Sequence, residues 1–284
     1  MATSLHTAFL ALADRVAQAY STHTHPQAIL LTGSLADGTC DGFSDIDMSM
    51  YYDVLPTPAQ LTQAQASLDA RDAFFLAPPT ADDCAEDFRV AGAECQIAHM
   101  TIASWEGTLT QVLVQLDLSP LQKAVSGLLR GRALAGSEMI EQWQAQARAY
   151  PPALGKAMVE HYLSFFPLWY RRAFLQQRDA TLWTREILGE TGYHILGVLA
   201  GLNQRYYTPF QLKQMHHFIA TLTLAPHDLG ARLERLVNAD IASAIDEAEA
   251  LVTECVALVK LHMPEVDTSA VQRRLGQRQA PWTP

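Results

Sequence analysis

The stretch that most constrains this chain is Leu31-Thr-Gly-Ser-Leu-Ala-Asp-Gly-Thr-Cys-Asp-Gly-Phe-Ser-Asp-Ile-Asp47. Gly33-Ser34 closes a short apolar run, Ala28–Leu31, which reads as a strand running into a turn. After ten further residues Asp45 opens a segment to Tyr52 in which Ile46, Met48 and Met50 alternate with Asp45, Asp47 and Ser49. That period of two predicts a strand with one polar face. Residues two apart on a strand point the same way, so the two carboxylates face one side, about 7 Å apart along the backbone. Like charges held this close are unfavourable without a cation between them. Magnesium takes a hard oxygen shell of this kind, from one or two carboxylates and substrate phosphates. Gly33-Ser34, at a strand end and opening a helix, offers backbone N–H groups and a hydroxyl to a phosphate.

Gly-Ser, ten residues and Asp-x-Asp resemble the signature of the polymerase-β-like nucleotidyltransferase superfamily. The likeness is to its compact members, the aminoglycoside and lincosamide nucleotidyltransferases and the minimal nucleotidyltransferases of toxin–antitoxin pairs. The signature covers 15 residues, and with flanking strands roughly 35–105. The resemblance implies a mixed β-sheet flanked by helices, two Mg²⁺ ions held by Asp45 and Asp47, and nucleotide phosphates gripped by Gly33 and Ser34. It also implies a third carboxylate on a later strand. Glu94-Cys95-Gln96-Ile97 is similar to the Glu-Leu-Gln-Phe strand of streptomycin/spectinomycin adenylyltransferases, whose Glu is the catalytic base. Glu94 is therefore the expected third carboxylate, as metal ligand and base. A competing register puts Gln96 there, and an amide cannot act as a base.

The periodicities predict a helix over Leu5–Tyr20, a helix after the prolines of Pro56–Ala70, and strand material at Phe74–Leu76. Phe88–Ile102 reads as a long strand or a hairpin around Ala91-Gly92. From Trp105 onward the pattern is helical, with breaks at Ser119-Pro120, Gly136, Tyr150-Pro151, Thr208-Pro209 and Ala225-Pro226. Ser137 and Asp240 read as capped helix starts. The expectation is an α+β catalytic domain over 1–120, an all-α substrate-binding domain over 121–269 and a loose tail over 270–284. Segments between 120 and 237, including Asn203-Gln-Arg-Tyr-Tyr207 and Lys213, resemble an uncharacterised helical domain often fused to such nucleotidyltransferases.

Charge sharpens the reading. Residues 1–120 hold 15 acidic and three basic residues, whereas 121–284 hold 15 acidic and 17 basic. An acidic chain without a basic stripe is a poor candidate for gripping a nucleic-acid backbone. The acidic half suits metal ions or a cationic substrate. A nucleoside triphosphate brings about four negative charges that two Mg²⁺ only partly balance. A cation for the leaving pyrophosphate is therefore expected from the helical half, with Lys213 first and Arg205 second. Arg171, Arg172 and Arg178 read as solvated helix faces, and the aromatic run Tyr162–Phe174 as core. Trp183, Tyr206 and Tyr207 are candidates for stacking on a base. His99 reads as a structural histidine, and the ten histidines show no zinc spacing.

No run approaches the ~18 apolar residues of a membrane span. No signal peptide is read at the start, and four widely spaced cysteines suit free thiols in a reducing cytosol. The expected function is Mg-dependent transfer of a nucleoside monophosphate, AMP from ATP foremost, to a hydroxyl of a small cationic acceptor such as an aminoglycoside-like compound, with no nucleic-acid or membrane partner. Two alternatives stay open: AMPylation of a protein, as in toxin–antitoxin pairs, and a catalytically weak nucleotide-binding regulator.

Overall fold

The computed structural model describes residues 2–283, with side chains from Leu5 onward. The protein is α+β and divides into two compact units, residues 1–115 with 124–149 and residues 116–123 with 150–284.

The first unit is built on a six-stranded mixed sheet. Its strands are β1 (Ala28–Thr32), β2 (Ile46–Tyr52), β3 (Arg71–Ala77), β4 (Asp83–Val90), β5 (Ala93–Thr101) and β6 (Arg132–Ala135), in the order β3-β4-β5-β2-β1-β6. β2 and β5 run parallel, and every other neighbouring pair is antiparallel. Around it lie α1 (Ala2–Thr24), α2 (Gly33–Ala36), α3 (Pro58–Ser67), α4 (Ile102–Leu113), α5 (Leu121–Arg130) and α6 (Ser137–Arg148).

Local chemistry explains several boundaries. α3 begins in a capping box, with Thr57 accepting from the Gln60 N–H while Gln60 accepts from the Thr57 N–H. β4 and β5 form the expected hairpin. Ala91 (φ 51°) and Gly92 (φ 89°) both take left-handed backbone, the two-residue turn that matches strand twist.

Strand alternation divides the sheet's two faces. Ile46, Met48 and Met50 of β2, Ile29 and Leu31 of β1, Cys95 and Ile97 of β5 and Phe88 of β4 bury one face against Val16 and Tyr20 of α1 and Leu61 and Ala64 of α3. On the other face, Tyr51 packs against Trp105 of α4 and Trp143 of α6. The opposite end of that second face carries the polar residues taken up below.

The expected domain limit near 120 is corrected. Residues 132–135 read as helix by sequence, but they form β6 and complete the sheet beside β1. Gly131 and Gly136 permit it: a Cβ at Gly131 would lie 2.6 Å from Leu30 Cδ1, and one at Gly136 would overlap the Gln27 carbonyl oxygen. Gly136, in left-handed backbone (φ 64°), also occupies the N-cap of α6, so Ser137 starts the helix without capping it. The sheet-bearing unit accordingly runs to Ala149.

The second unit is helical, with α7 (Pro152–Tyr162), α8 (Arg172–Gln176), α9 (Thr181–Leu202), α10 (Met215–Ile219), α11 (Leu229–Asn238), α12 (Ile241–His262) and α13 (Ser269–Gln272). Asp240 caps α12 as expected, accepting from Ser243 N–H at 3.0 Å. The expected loose tail is corrected as far as Gln279. Trp169 Nε1 donates to the Arg274 carbonyl, Gln279 N–H to the Tyr170 carbonyl, and Arg278 pairs with Glu249. Among the described residues no helix is long and apolar enough to cross a membrane, and all four cysteines are free thiols.

Candidate active site

β1 ends at Thr32 and the chain turns directly into the short α2, as the Gly33-Ser34 reading anticipated. Thr32 pairs in register with Asp47 across the strands. Gly33 (φ 70°) has left-handed backbone, and a Cβ there would overlap Asp47 Oδ2 and crowd its Cγ at 3.1 Å. The dihedral favours glycine, and any side chain here would have to displace the Asp47 carboxylate. The Asp47 carboxylate therefore lies directly against the turn. Beside it, the Ser34 hydroxyl is shielded from solvent and has no hydrogen-bond partner among the described residues. Buried polar atoms are normally satisfied, so an orphan of this kind marks a place where a ligand or water belongs.

Strand register assembles the rest. Asp47 stands opposite Gln96 on the parallel neighbour β5, and Gln96 stands opposite Asp87 on β4. Thr32, Asp47, Gln96 and Asp87 thus form one row across four strands. Ile46, the first residue of β2, pairs with Cys95, and Arg89 pairs with Glu94; Asp45 lies in the loop just before the strand. Asp47, Glu94 and Gln96 consequently share a face, and they and Asp45 are all half-buried. The buried Cys95 thiol beneath reports their joint field. Its pKa is pushed up to about 12, first by burial and then by the charges of Asp87, Asp45 and Glu94.

The Glu94 carboxylate is held on two sides. Arg89 Nη2 donates to Oε2 at 3.2 Å and Gln96 Nε2 to Oε1 at 3.3 Å. The two registers weighed for the third carboxylate are therefore both occupied on this face. The Gln96 amide lies level with Asp47, and Glu94 stands two residues before it on the same face of β5.

The donor set suits a hard dication. Two aspartates are a complete protein share for magnesium, which draws its remaining oxygens from water and phosphate. Glu94 as a third ligand is not assembled: among the described residues no three Asp, Glu, His or Cys side chains lie close enough to hold one ion.

Asp87 escaped the sequence reading. It is only 6% exposed. Its carboxyl is raised above the ordinary range by burial, then by Glu94, while hydrogen bonding from Gln96 opposes the shift. The signal was present. A two-residue turn at Ala91-Gly92 sets Val90 opposite Ala93 and hence Asp87 opposite Gln96.

Other candidates resolve into structural roles. Asp37 pairs with Arg130 at 2.9 Å, and Asp41 accepts from the Phe43 N–H. His99 faces the α1/α3 side, fully buried, between Glu86 and Tyr52. In the second unit, Asn203 bonds the carbonyls of Leu199 and Leu224 and accepts from the Thr223 and Leu224 N–H groups, so it ties α9 to the segment before α11. Tyr206 and Tyr207 are buried, which corrects their reading as base-stacking surfaces. Lys213 and Arg205 are exposed. Lys213 lies 5.8 Å from the Phe210 ring centroid, and Arg205 donates to the Thr221 carbonyl at 3.2 Å. They belong to the second unit and are not part of the sheet face that carries the aspartates.

No family model matches the chain, and no curated protein is significantly similar to it. Among solved structures it is similar to a nucleotidyltransferase-like protein from Exiguobacterium sibiricum 255-15, at 13% identity and a TM-score of 0.36, over 94% of this chain and 78% of that one.

Proposed function

We propose that the first unit catalyses magnesium-dependent transfer of a nucleoside monophosphate, AMP from ATP foremost, to an acceptor hydroxyl. The observation that carries this reading is the Gly33–Ser34–Asp47 corner. A carboxylate is packed against a glycine in left-handed backbone whose Cβ it would meet, and the adjacent Ser34 hydroxyl is buried without a partner among the described residues. In the proposed reaction, the Gly33 and Ser34 N–H groups and the Ser34 hydroxyl hold the β and γ phosphates. Asp45 and Asp47 hold two Mg²⁺ ions together with those phosphates. Bound magnesium supplies charge neutralisation on the phosphates. Glu94 takes the proton of the acceptor hydroxyl as its oxygen bonds to the α-phosphorus and the bond to pyrophosphate breaks. The excess of 15 acidic over three basic residues in 1–120 favours a small cationic acceptor, an aminoglycoside-like compound.

The test is incorporation of label from α-labelled ATP across a panel of polyamine and aminoglycoside acceptors, with and without EDTA. Label on an acceptor, lost on chelation, is the expected result. A second reading rests on the Glu94–Arg89 ion pair and on the absence of a three-residue metal cluster among the described residues. Under that reading the unit binds Mg·ATP and does not turn it over, acting as a nucleotide-responsive regulator. ATP binding by calorimetry without label transfer to any acceptor would decide for it.

A further inference from the structure

The acidic balance of the whole chain conceals a local exception in the second unit, where rings and guanidiniums alternate. Trp183, 39% exposed, stands edge-on to Phe166 with ring centroids 5.0 Å apart. Arg171 lies between Phe166 and Phe174, its Cζ 5.7 and 5.8 Å from their centroids. Arg178 covers Phe174 at 4.1 Å, and Arg274 covers Tyr170 at 4.2 Å. The last pair is fixed by the Trp169–Arg274 and Gln279–Tyr170 backbone links, so the C-terminal segment and the 166–178 segment form one surface.

Two properties set these arginines apart. Cation–ring contacts of this kind occur about once per 70–80 residues. Here four of them fall on Phe166, Tyr170 and Phe174. Moreover, Arg172, Arg232, Arg235 and Arg278 of the same unit each hold a carboxylate. Arg171, Arg178 and Arg274 hold none among the described residues, and their side chains donate no hydrogen bond there. Each guanidinium carbon lies over a ring, Arg178 and Arg274 closely and Arg171 farther off, and the guanidinium N–H groups hold no partner among the described residues. The guanidinium fork matches a phosphate in two parallel hydrogen bonds, and its prior ordering lowers the entropy lost on binding. The outer faces of stacked guanidiniums and of Trp183 are also platforms for unpaired bases.

We propose that this ladder binds single-stranded nucleic acid over a few nucleotides, with Arg171, Arg178 and Arg274 on phosphates and Trp183 stacking on a base. An acidic peptide would satisfy the charges and leave the ring and guanidinium faces unused. The surface is confined to the second unit, so the proposal stands independently of nucleotidyl transfer by the first. Three phosphate contacts on a single strand give a slope of about −2 for log K against log salt.

The experiment is fluorescence anisotropy of labelled eight-nucleotide oligouridine and oligothymidine with the full chain between 50 and 200 mM NaCl. Binding with that slope is expected, weaker for a duplex of the same length. Arg171→Ala with Arg178→Ala should cut affinity at least tenfold at 50 mM NaCl and flatten the slope to about −0.7. Trp183→Leu should weaken binding and leave the slope unchanged. Arg235→Ala, whose ion pair with Glu247 lies elsewhere, should alter neither, and melting curves check that each variant folds. The proposal is overturned if 100 µM protein binds no strand or if the double variant binds like wild type. Equal duplex binding, displacement by polyglutamate as effective as by unlabelled strand, or displacement by micromolar ATP would each overturn it as well.

Discussion

Glu86 and Asp87 are neighbours on one strand, and they show what the two faces of the sheet are for. Glu86, 1% exposed, points toward α1 and α3 and is fully engaged. Tyr20 donates to one carboxylate oxygen, which His99 Nε2 also approaches at 3.1 Å, and Gln65 Nε2 donates to the other at 2.8 Å. Tyr52 extends the network from His99 to Thr24. Asp87 points the other way, into a face where carboxylates crowd one another and Ser34 Oγ is unpartnered. A buried polar group with every bond made stabilises a unique packing, whereas carboxylates that raise one another's pKa cost stability. The first face is therefore read as scaffold and the second as site.

Substitutions on the two faces should separate cleanly. The largest effect is expected from Asp47→Ala, which should reduce label transfer from α-labelled ATP at least a thousandfold and leave the melting temperature within a few degrees. Near wild-type turnover would sink the assignment of the second face. Glu94→Gln comes next, with turnover down roughly 10²–10⁴-fold, the usual worth of a positioned general base, and ATP affinity nearly unchanged by calorimetry. Gln96→Ala should cost far less, and an equal loss would show that the amide, not the carboxylate, is the group that matters.

On the scaffold face the expected signature reverses. Glu86→Ala leaves Tyr20, Gln65 and His99 without their shared acceptor and should cost about 3 kcal/mol in urea unfolding. The folded fraction should keep its ATP affinity. Loss of binding with no loss of stability would contradict the division. The smallest effect concerns Asp87. Its carboxyl is raised in the folded state, so the unfolded chain releases that proton at lower pH and the native state binds more protons in between. Asp87 therefore subtracts stability as pH rises from the ordinary carboxylate range through its folded value. In metal-free buffer, Asp87→Asn should gain on wild type in melting temperature as pH rises above the ordinary carboxylate range. A gain that is flat with pH would show that the crowding of carboxylates is not felt.

Much of the first unit was legible from local rules, because alternation and turn chemistry act over a few residues. The β1–turn–β2 frame, the Ala91-Gly92 hairpin and the outward face of Asp47 and Ser49 all follow from periods of two and from glycine's backbone freedom. Asp87 was within reach of the same rules once the hairpin register was extended past Phe88. The burial of Tyr206 and Tyr207 was not legible, since burial depends on which helices pack together.

The sequence by itself determined the α+β architecture, the polar face of β2 that carries Asp47 and the glycine turn before it, since each needs only neighbouring residues. Tertiary structure alone decided that Arg132–Ala135 is a strand beside Ala28–Thr32, because pairing partners a hundred residues apart leave no local trace. It also decided that Glu94 is held by Arg89 and Gln96, and that three arginines of an acidic chain lie stacked on rings without a carboxylate. Those facts depend on distances through space, and composition and spacing carry no record of them.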